Sequence, residues 1–336
     1  MAVSESGGWG TRPPVLITGA GGFIGSHLVE LLVRRGAMVR GFVRYTSRGD
    51  AGWLDRLDPT VRREVEVYVG DLTNPEAVAG ALDGCDTVLH LGALIPIPYS
   101  YRHPREFVAA NVVGTLNVLE AARRTDVRRV VQVSSSEVYG TAQSIPMPEE
   151  HPLHPQSPYA ATKVGADQLA LSYARSFGLP VVIARPFNTF GPRQSARAVI
   201  PTIVAQALTR DRIELGATET TRDFLYVTDT VEGLVRCAEA DGVVGEVFNL
   251  GTGRERSIQQ IIEFVLSATG KDLPVEVAEE RQRPPQSEVD RLCASVEKAR
   301  IRLDWEAKVS FEEGLRRTID WIGESLDNYR PEVYGV

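Results

Sequence analysis

Short apolar runs alternate with amphipathic stretches through the first half of the chain. The runs predict strands at Val15–Thr18, Met38–Val43, Val65–Gly70, Thr87–Leu91, Arg129–Ser134 and Pro180–Ala184. Between them lie helical patterns, the longest from about Pro104 to Arg124 and from Pro158 to Ser176. Strand-helix alternation of this kind implies a doubly wound parallel sheet with helices on both faces, an α/β architecture. After Phe187 the alternation breaks into three pieces punctuated by Pro and Gly: Asn188–Arg210, Ile213–Ala240 and Glu246–Gly270. These predict a smaller, discontinuous C-terminal lobe that binds substrate over residues 188–336, with a segment near 224–240 returning to the first domain, 14–187. Ser310 to Ser325 reads as an amphipathic helix.

Composition narrows the function classes. A chain of 336 residues that is 43% hydrophobic suffices for one large domain or one and a half. Cys85, Cys237 and Cys293 are odd in number and far apart, which suggests neither a disulfide framework nor a zinc site. No apolar run approaches the ~20 residues of a membrane span, and Met1 to Pro13 reads as a disordered polar tail without a signal-peptide core. A net charge of −7 argues against a nucleic-acid partner. The expectation is a cytoplasmic enzyme that holds any anionic substrate with locally placed arginines.

Two motifs carry the chemistry. In the first, Thr18-Gly19-Ala20-Gly21-Gly22-Phe23-Ile24-Gly25-Ser26 turns the first strand into a helix. Glycines at 19, 22 and 25 permit a tight turn, close approach to a pyrophosphate and close helix-strand packing, and amides at the helix start favour phosphate charge. In the second, Tyr159 and Lys163 stand four residues apart on one helix face, and a hydroxyl-rich strand end brings Ser135 towards them. Tyrosine's reference pKa near ~10 makes it a poor base at neutral pH unless a cation stabilises the phenolate. Lys163 supplies that cation and Ser135 can share the substrate proton. Glu137 adds a carboxylate that plain alcohol oxidation does not need.

Together these residues resemble the extended short-chain dehydrogenase/reductase family, from about Pro14 to Ile322. Its nucleotide-sugar epimerases and dehydratases are resembled by Gly70-Asp71-Leu72, His90-Leu91-Gly92-Ala93, Asn111-Val112-Val113-Gly114-Thr115, Arg185-Pro186-Phe187-Asn188 and Arg222-Asp223-Phe224. A narrower resemblance, in Ile97–Tyr101 and Asn188–Pro201, is to the 4,6-dehydratases of the legionaminic acid pathway, which act on nucleotide-linked N-acetylglucosamine.

The resemblance implies a Rossmann-type domain binding NAD(P) through Gly19, Gly22, Phe23, Ile24, Gly25, Asp71, Leu72, Leu91, Ala93, Tyr159, Lys163 and Pro186. The second strand ends Val43-Arg44-Tyr45-Thr46-Ser47-Arg48, with no acid before Asp50 to take a ribose 2′-hydroxyl. Arg44 with Ser47 therefore inclines the cofactor to NADP, with NAD left open. For the substrate side the resemblance implies Ser136, Asn188, Arg197, Val199, Arg222 and Arg283, the arginines suiting phosphate oxygens. A homodimer is also implied, through the helices that contain Asn111 and Lys163.

For the reaction it implies catalysis by Ser135, Glu137, Tyr159 and Lys163. The 4-hydroxyl is oxidised, Glu137 removes the C-5 hydrogen of the ketone, water leaves from C-6, and the hydride returns there as C-5 is reprotonated. Where dTDP-glucose dehydratases carry Asp-Glu, this chain has Ser136-Glu137, as GDP-mannose dehydratases do. Ser136, Glu137 or a water then stands as the acid for the 6-hydroxyl. The alternatives are a 4-epimerase, which has no need of Glu137, and a UDP-glucuronate decarboxylase, which carries a similar Ser-Glu-Val-Tyr-Gly segment.

Overall fold

A computed structural model describes residues 8–329. Its central sheet has seven parallel strands: Val15–Thr18 (β1), Val39–Val43 (β2), Val65–Val69 (β3), Thr87–His90 (β4), Arg129–Val133 (β5), Val181–Pro186 (β6) and Val247–Leu250 (β7). They lie in the order β7-β6-β5-β4-β1-β2-β3. Because β1 pairs with both β2 and β4, the winding reverses between β1 and β4, and a crevice opens at the carboxyl ends of the strands. Strands β1, β4, β5 and β6 are buried along their whole length, which is why they read as near-continuous apolar runs.

Successive residues of β1 serve opposite faces. Val15 and Ile17 join a core with Leu28 and Leu32 of helix Phe23–Arg34 (α1). Leu16 joins the other face, with Val118 and Leu119 of Gly114–Arg124 (α2) and Ala170 of Pro158–Phe177 (α3). Ser157 caps α3 by accepting from Ala160 N at 3.1 Å, Pro158 occupies its first turn, and Gly178 ends it at φ +68°. The lobe has its own core, in which Ile203 of Val199–Thr209 (α4), Phe224 and Ile261 meet Leu315 and Ile322 of Phe311–Glu324 (α6). Its sheet is built on Thr221–Tyr226, flanked by Glu255–Ser257 and Arg291–Leu292 and paired with Asn188–Phe190. The two bodies are bolted at α1, where Arg193 Nη2 donates to Glu30 at 2.8 Å and His27 Nε2 donates to the Pro192 carbonyl at 3.0 Å.

Beyond shifts of one or two residues at strand ends and the division of the Pro104–Arg124 stretch at Val108–Val113, three placements differ from the sequence reading. The tail expected up to Pro13 is packed from Trp9 onward: its indole is buried and Nε1 donates to Glu239 at 2.6 Å, while residues 1–7 lie outside the described residues. A single aromatic in a polar stretch carries no periodicity, so only the tertiary pocket shows its anchoring role. The return to the main body begins at Val227, not Phe224, because Thr221–Tyr226 is a strand of the lobe. From there helix Val227–Glu239 (α5) packs on α1 and beneath β5 and β6. The third difference is β7, which the sequence reading placed in the lobe. Four residues set off by turns carry too little pattern to assign to a sheet, and the sheet edge beside β6 selects them.

Candidate active site

Helix α3 presents Tyr159, Lys163 and Asp167 at i, i+4 and i+8, all buried against the sheet. Lys163 Nζ donates to the Val133 carbonyl at the end of β5, 2.6 Å away. Burial pushes the Lys163 ammonium down to about 8, opposed by the negative charge of Asp167. Burial likewise pushes the Tyr159 phenol up to about 12; its hydrogen bond with Ser135 pulls the other way, and the Glu137 carboxylate adds to the rise. Ser135 starts the tight helical turn Ser136–Tyr139 and accepts from Glu137 N at 3.2 Å. That one bond fixes the turn that leaves Ser135 on the Tyr159 hydroxyl and Glu137 close by. Ser136 is buried within the same turn.

Beneath this group lies a buried ion pair that the sequence reading missed. Asp167 Oδ2 accepts from Ser134 Oγ at 2.8 Å and from Arg185 Nε and Nη2 at 3.1 and 3.0 Å. Arg185 Nη1 donates to the Tyr139 hydroxyl at 2.9 Å, and that hydroxyl donates to Asn249 at 2.8 Å. Removing one partner of a buried pair costs about 3–5 kcal/mol, so this network holds the strand end and α3 in one register. The signal was present in the sequence, since Asp167 repeats the four-residue spacing of Tyr159 and Lys163.

Asn111, in the wide helical turn Val108–Val113, accepts from Leu94 N at 2.8 Å and donates to Leu94 O at 2.9 Å and Thr162 Oγ1 at 3.0 Å. It thus ties the loop after β4 to α3. His90 is bonded at both nitrogens, to Thr18 Oγ1 at 2.7 Å and Thr115 Oγ1 at 3.1 Å. Thr115 spends its only proton on the Asn111 carbonyl, so His90 Nε2 carries the hydrogen and Nδ1 accepts from Thr18. Burial and the nearby Lys163 charge push His90 down to about 3, which keeps it neutral and structural.

The crevice fits a dinucleotide. Gly19 has φ +69°, and a Cβ there would lie 3.0 Å from the Gly92 backbone; one at Gly25 would lie 2.2 Å from the Gly19 carbonyl. Gly22 starts α1 without a side-chain cap, so the first-turn amides at Phe23 and Ile24 are available to a phosphate. Leu72, beside Gly92 and Gly114, stands with Leu91 and Ala93 along the ends of β3 and β4, and Pro186 closes β6. Arg44 and Ser47 are exposed just beyond β2, and Asp71 accepts both Thr73 N and Thr73 Oγ1 on one oxygen. These hydrogen bonds and the nearby Arg44 hold the Asp71 carboxyl below its usual range.

The lobe side holds a cavity of about 430 Å³ that gathers Asn188, Arg197, Val199, Arg222 and Arg283. Arg222 is buried, its Nη1 donating to Thr221 O at 2.9 Å, while Nη2 lies 3.4 Å from Glu288. Arg283 lies 3.7 Å from the same carboxylate oxygen. Among the described residues no helix is long and apolar enough to cross a membrane, and no acidic, histidine and cysteine side chains cluster to hold a metal.

Residues 16–318 match the family model of GDP-mannose 4,6 dehydratase. The chain is 34% identical to the low-salt glycan biosynthesis protein Agl12 of Haloferax volcanii, covering 91% of this chain and 97% of the relative. It is also 34% identical to the dTDP-glucose 4,6-dehydratase of Streptomyces antibioticus, covering 94% of each. DesIV, the dTDP-glucose 4,6-dehydratase of Streptomyces venezuelae solved with NAD bound, superposes with a TM-score of 0.86 at 31% identity, over 95% of this chain and 99% of that one. Fold and site thus define an extended short-chain dehydrogenase/reductase of the nucleotide-sugar epimerase and dehydratase class. The chain belongs to the GDP-mannose 4,6-dehydratase family and is an enzyme of that class.

Proposed function

We propose that this protein is a nucleotide-sugar 4,6-dehydratase that converts a UDP- or GDP-linked N-acetylglucosamine to its 4-keto-6-deoxy product. The observation that carries the reading is Glu137. A 4-epimerase needs a base at the 4-hydroxyl and nothing at C-5, whereas here a second base stands within the electrostatic reach of Tyr159, on a turn that Ser135 fixes. The N-acetylglucosamine reading rests on Ile97–Tyr101 and Asn188–Pro201, which resemble the enzymes that take that sugar.

NAD(P), held by the turn of Gly19, Gly22 and Gly25 and the amides of Phe23 and Ile24, would supply reversible hydride transfer to and from the sugar. Tyr159 takes the 4-hydroxyl proton, with Ser135 sharing the hydrogen bond. Burial alone would make the phenol too weak an acid for this task, and the Lys163 ammonium four residues on stabilises the phenolate. Asp167 opposes the loss of that ammonium's proton. Once C-4 is a ketone, Glu137 takes the acidified C-5 proton, the C-6 hydroxyl takes a proton from Ser136, Glu137 or a water and leaves as water, and C-5 regains a proton exchangeable with solvent as hydride arrives at C-6. Arg222 and Arg283 hold the diphosphate with Asn188, and Arg197 and Val199 border the nucleotide.

The test is turnover of UDP-, GDP- and dTDP-hexoses in heavy water. A product lighter by one water and carrying deuterium at C-5 is expected; a 4-epimer without deuterium, or carbon dioxide from UDP-glucuronate, would replace the reading.

Arg44 with Ser47 inclines the cofactor to NADP, because no acid stands at the end of β2 for the ribose 2′-hydroxyl. Arg44→Ala is then expected to weaken NADP binding by about 1.5–3 kcal/mol, the worth of a charge-assisted hydrogen bond, and to leave NAD binding nearly unchanged. Titration of both cofactors into the stripped protein measures this. Equal losses, or purified protein that carries only NAD, would remove the inclination to NADP.

A further inference from the structure

Tyr101 has no part in the chemistry above, yet its surroundings define a direction. It lies in the last turn of the short helix Ile97–Arg102, and its ring packs in the same small cluster as Ile97, Phe107 and the Tyr159 ring. Its other edge lines the cavity that holds Arg222 and Arg283. The charges of Arg283, Glu288 and Glu137 all reach its hydroxyl. Tyr101 thus shares a cluster with Tyr159 and a cavity with Arg222 and Arg283, beside a hexose that has its C-4 at the one and its C-1 phosphate at the others.

The hydrogen-bond polarity there is set by counting protons. Tyr101 Oη and Ser287 Oγ lie 2.5 Å apart. Ser287 Oγ also bonds the Gln156 backbone carbonyl, which can only accept, so the single Ser287 proton is spent on it. The Tyr101 hydroxyl is therefore the donor to Ser287. Gln156 cannot shift easily, since its Oε1 accepts from Thr141 N at 2.6 Å and its Nε2 donates to the carbonyls of Gln286 and Glu288 at 3.1 and 2.7 Å. The phenol is left with an oxygen lone pair and no proton to give. It is unsuited to a phosphate oxygen, which is itself an acceptor, and equally unsuited to act as the acid for the 6-hydroxyl.

We infer that Tyr101 is a specificity residue of the sugar subsite, whose phenolic oxygen accepts a hydrogen bond from a hydroxyl or amide N–H of the hexose. The inference rests on the nucleotide-sugar reading above and adds the residue that recognises the sugar apart from its nucleotide. A ring at this place also walls the hexose between Tyr159 and the diphosphate arginines.

The test compares binding of UDP with UDP-N-acetylglucosamine, and of GDP and dTDP with their hexose conjugates, by calorimetry in wild type, Tyr101→Phe and Ser287→Ala. In Tyr101→Phe the affinity gained from the sugar is expected to fall about 3- to 10-fold, the worth of one neutral hydrogen bond, with binding of the bare nucleoside diphosphates unchanged. Ser287→Ala keeps the phenolic oxygen and is expected to keep the sugar's contribution within about twofold. Equal losses for diphosphate and conjugate, or a Ser287→Ala protein that matches Tyr101→Phe, would make Tyr101 only a strut between the loop after β4 and the lobe, and would overturn the inference. So would a wild-type protein that gains nothing from the sugar in any pair. A protein that gains affinity from the sugar but forms no dehydrated product would overturn the proposed reaction alone.

Discussion

Tyr159→Phe is expected to lower turnover by ~100- to 10,000-fold, the range typical of a general acid–base group, with the fold and cofactor binding intact. Only the phenolic oxygen is removed. The ring would keep its contact with Phe107, with centroids 6.3 Å apart, and the Ser157 cap and α3 would be untouched. The loss should exceed the value of one hydrogen bond, because the oxygen both takes the 4-hydroxyl proton and bonds Ser135. Steady-state turnover of the substrate found by screening measures it, with thermal melting as the control for folding. Turnover near wild type would remove Tyr159 as the base and, with it, the role given to Lys163.

Glu137→Gln is expected to abolish water elimination while leaving oxidation at C-4 possible. The amide keeps the volume and the Ser136–Tyr139 turn, since the bond from Glu137 N to Ser135 Oγ uses the backbone. It cannot take a proton. In heavy water, wild-type product should carry deuterium at C-5, while the variant should form no dehydrated product and return substrate without C-5 label. A variant that dehydrates as fast as wild type would mean that another group removes the C-5 proton, and the contrast with epimerisation would lose its basis.

The parallel sheet was largely legible because parallel strands are buried on both faces and so announce themselves as apolar runs. Strand β1 was predicted with its observed bounds, Val15–Thr18. Helix α3 was legible through its helical pattern from Pro158 to Ser176 and the four-residue spacing of Tyr159 and Lys163. Residues that act through local geometry, such as the glycines of the turn, need only their neighbours in sequence to be recognised. Arg222 and Arg283 were nominated by resemblance, and their approach to the shared carboxylate of Glu288 appears only in the folded lobe.

Other features depend on segments that meet only after folding. Trp9 finds Glu239 across 230 residues, β7 finds the free edge of β6, and Asp167 finds Arg185 one strand away. The sequence by itself determined the sheet's first six strands, the phosphate-binding turn and the identity of the base and its cation, because short-range periodicity and side-chain chemistry suffice for those. The tertiary structure alone decided which strand closes the sheet, how strongly burial moves the Tyr159 and Lys163 pKa values, and which way the Tyr101 proton points. Those are matters of burial and of partners distant in the chain, and no local pattern encodes either.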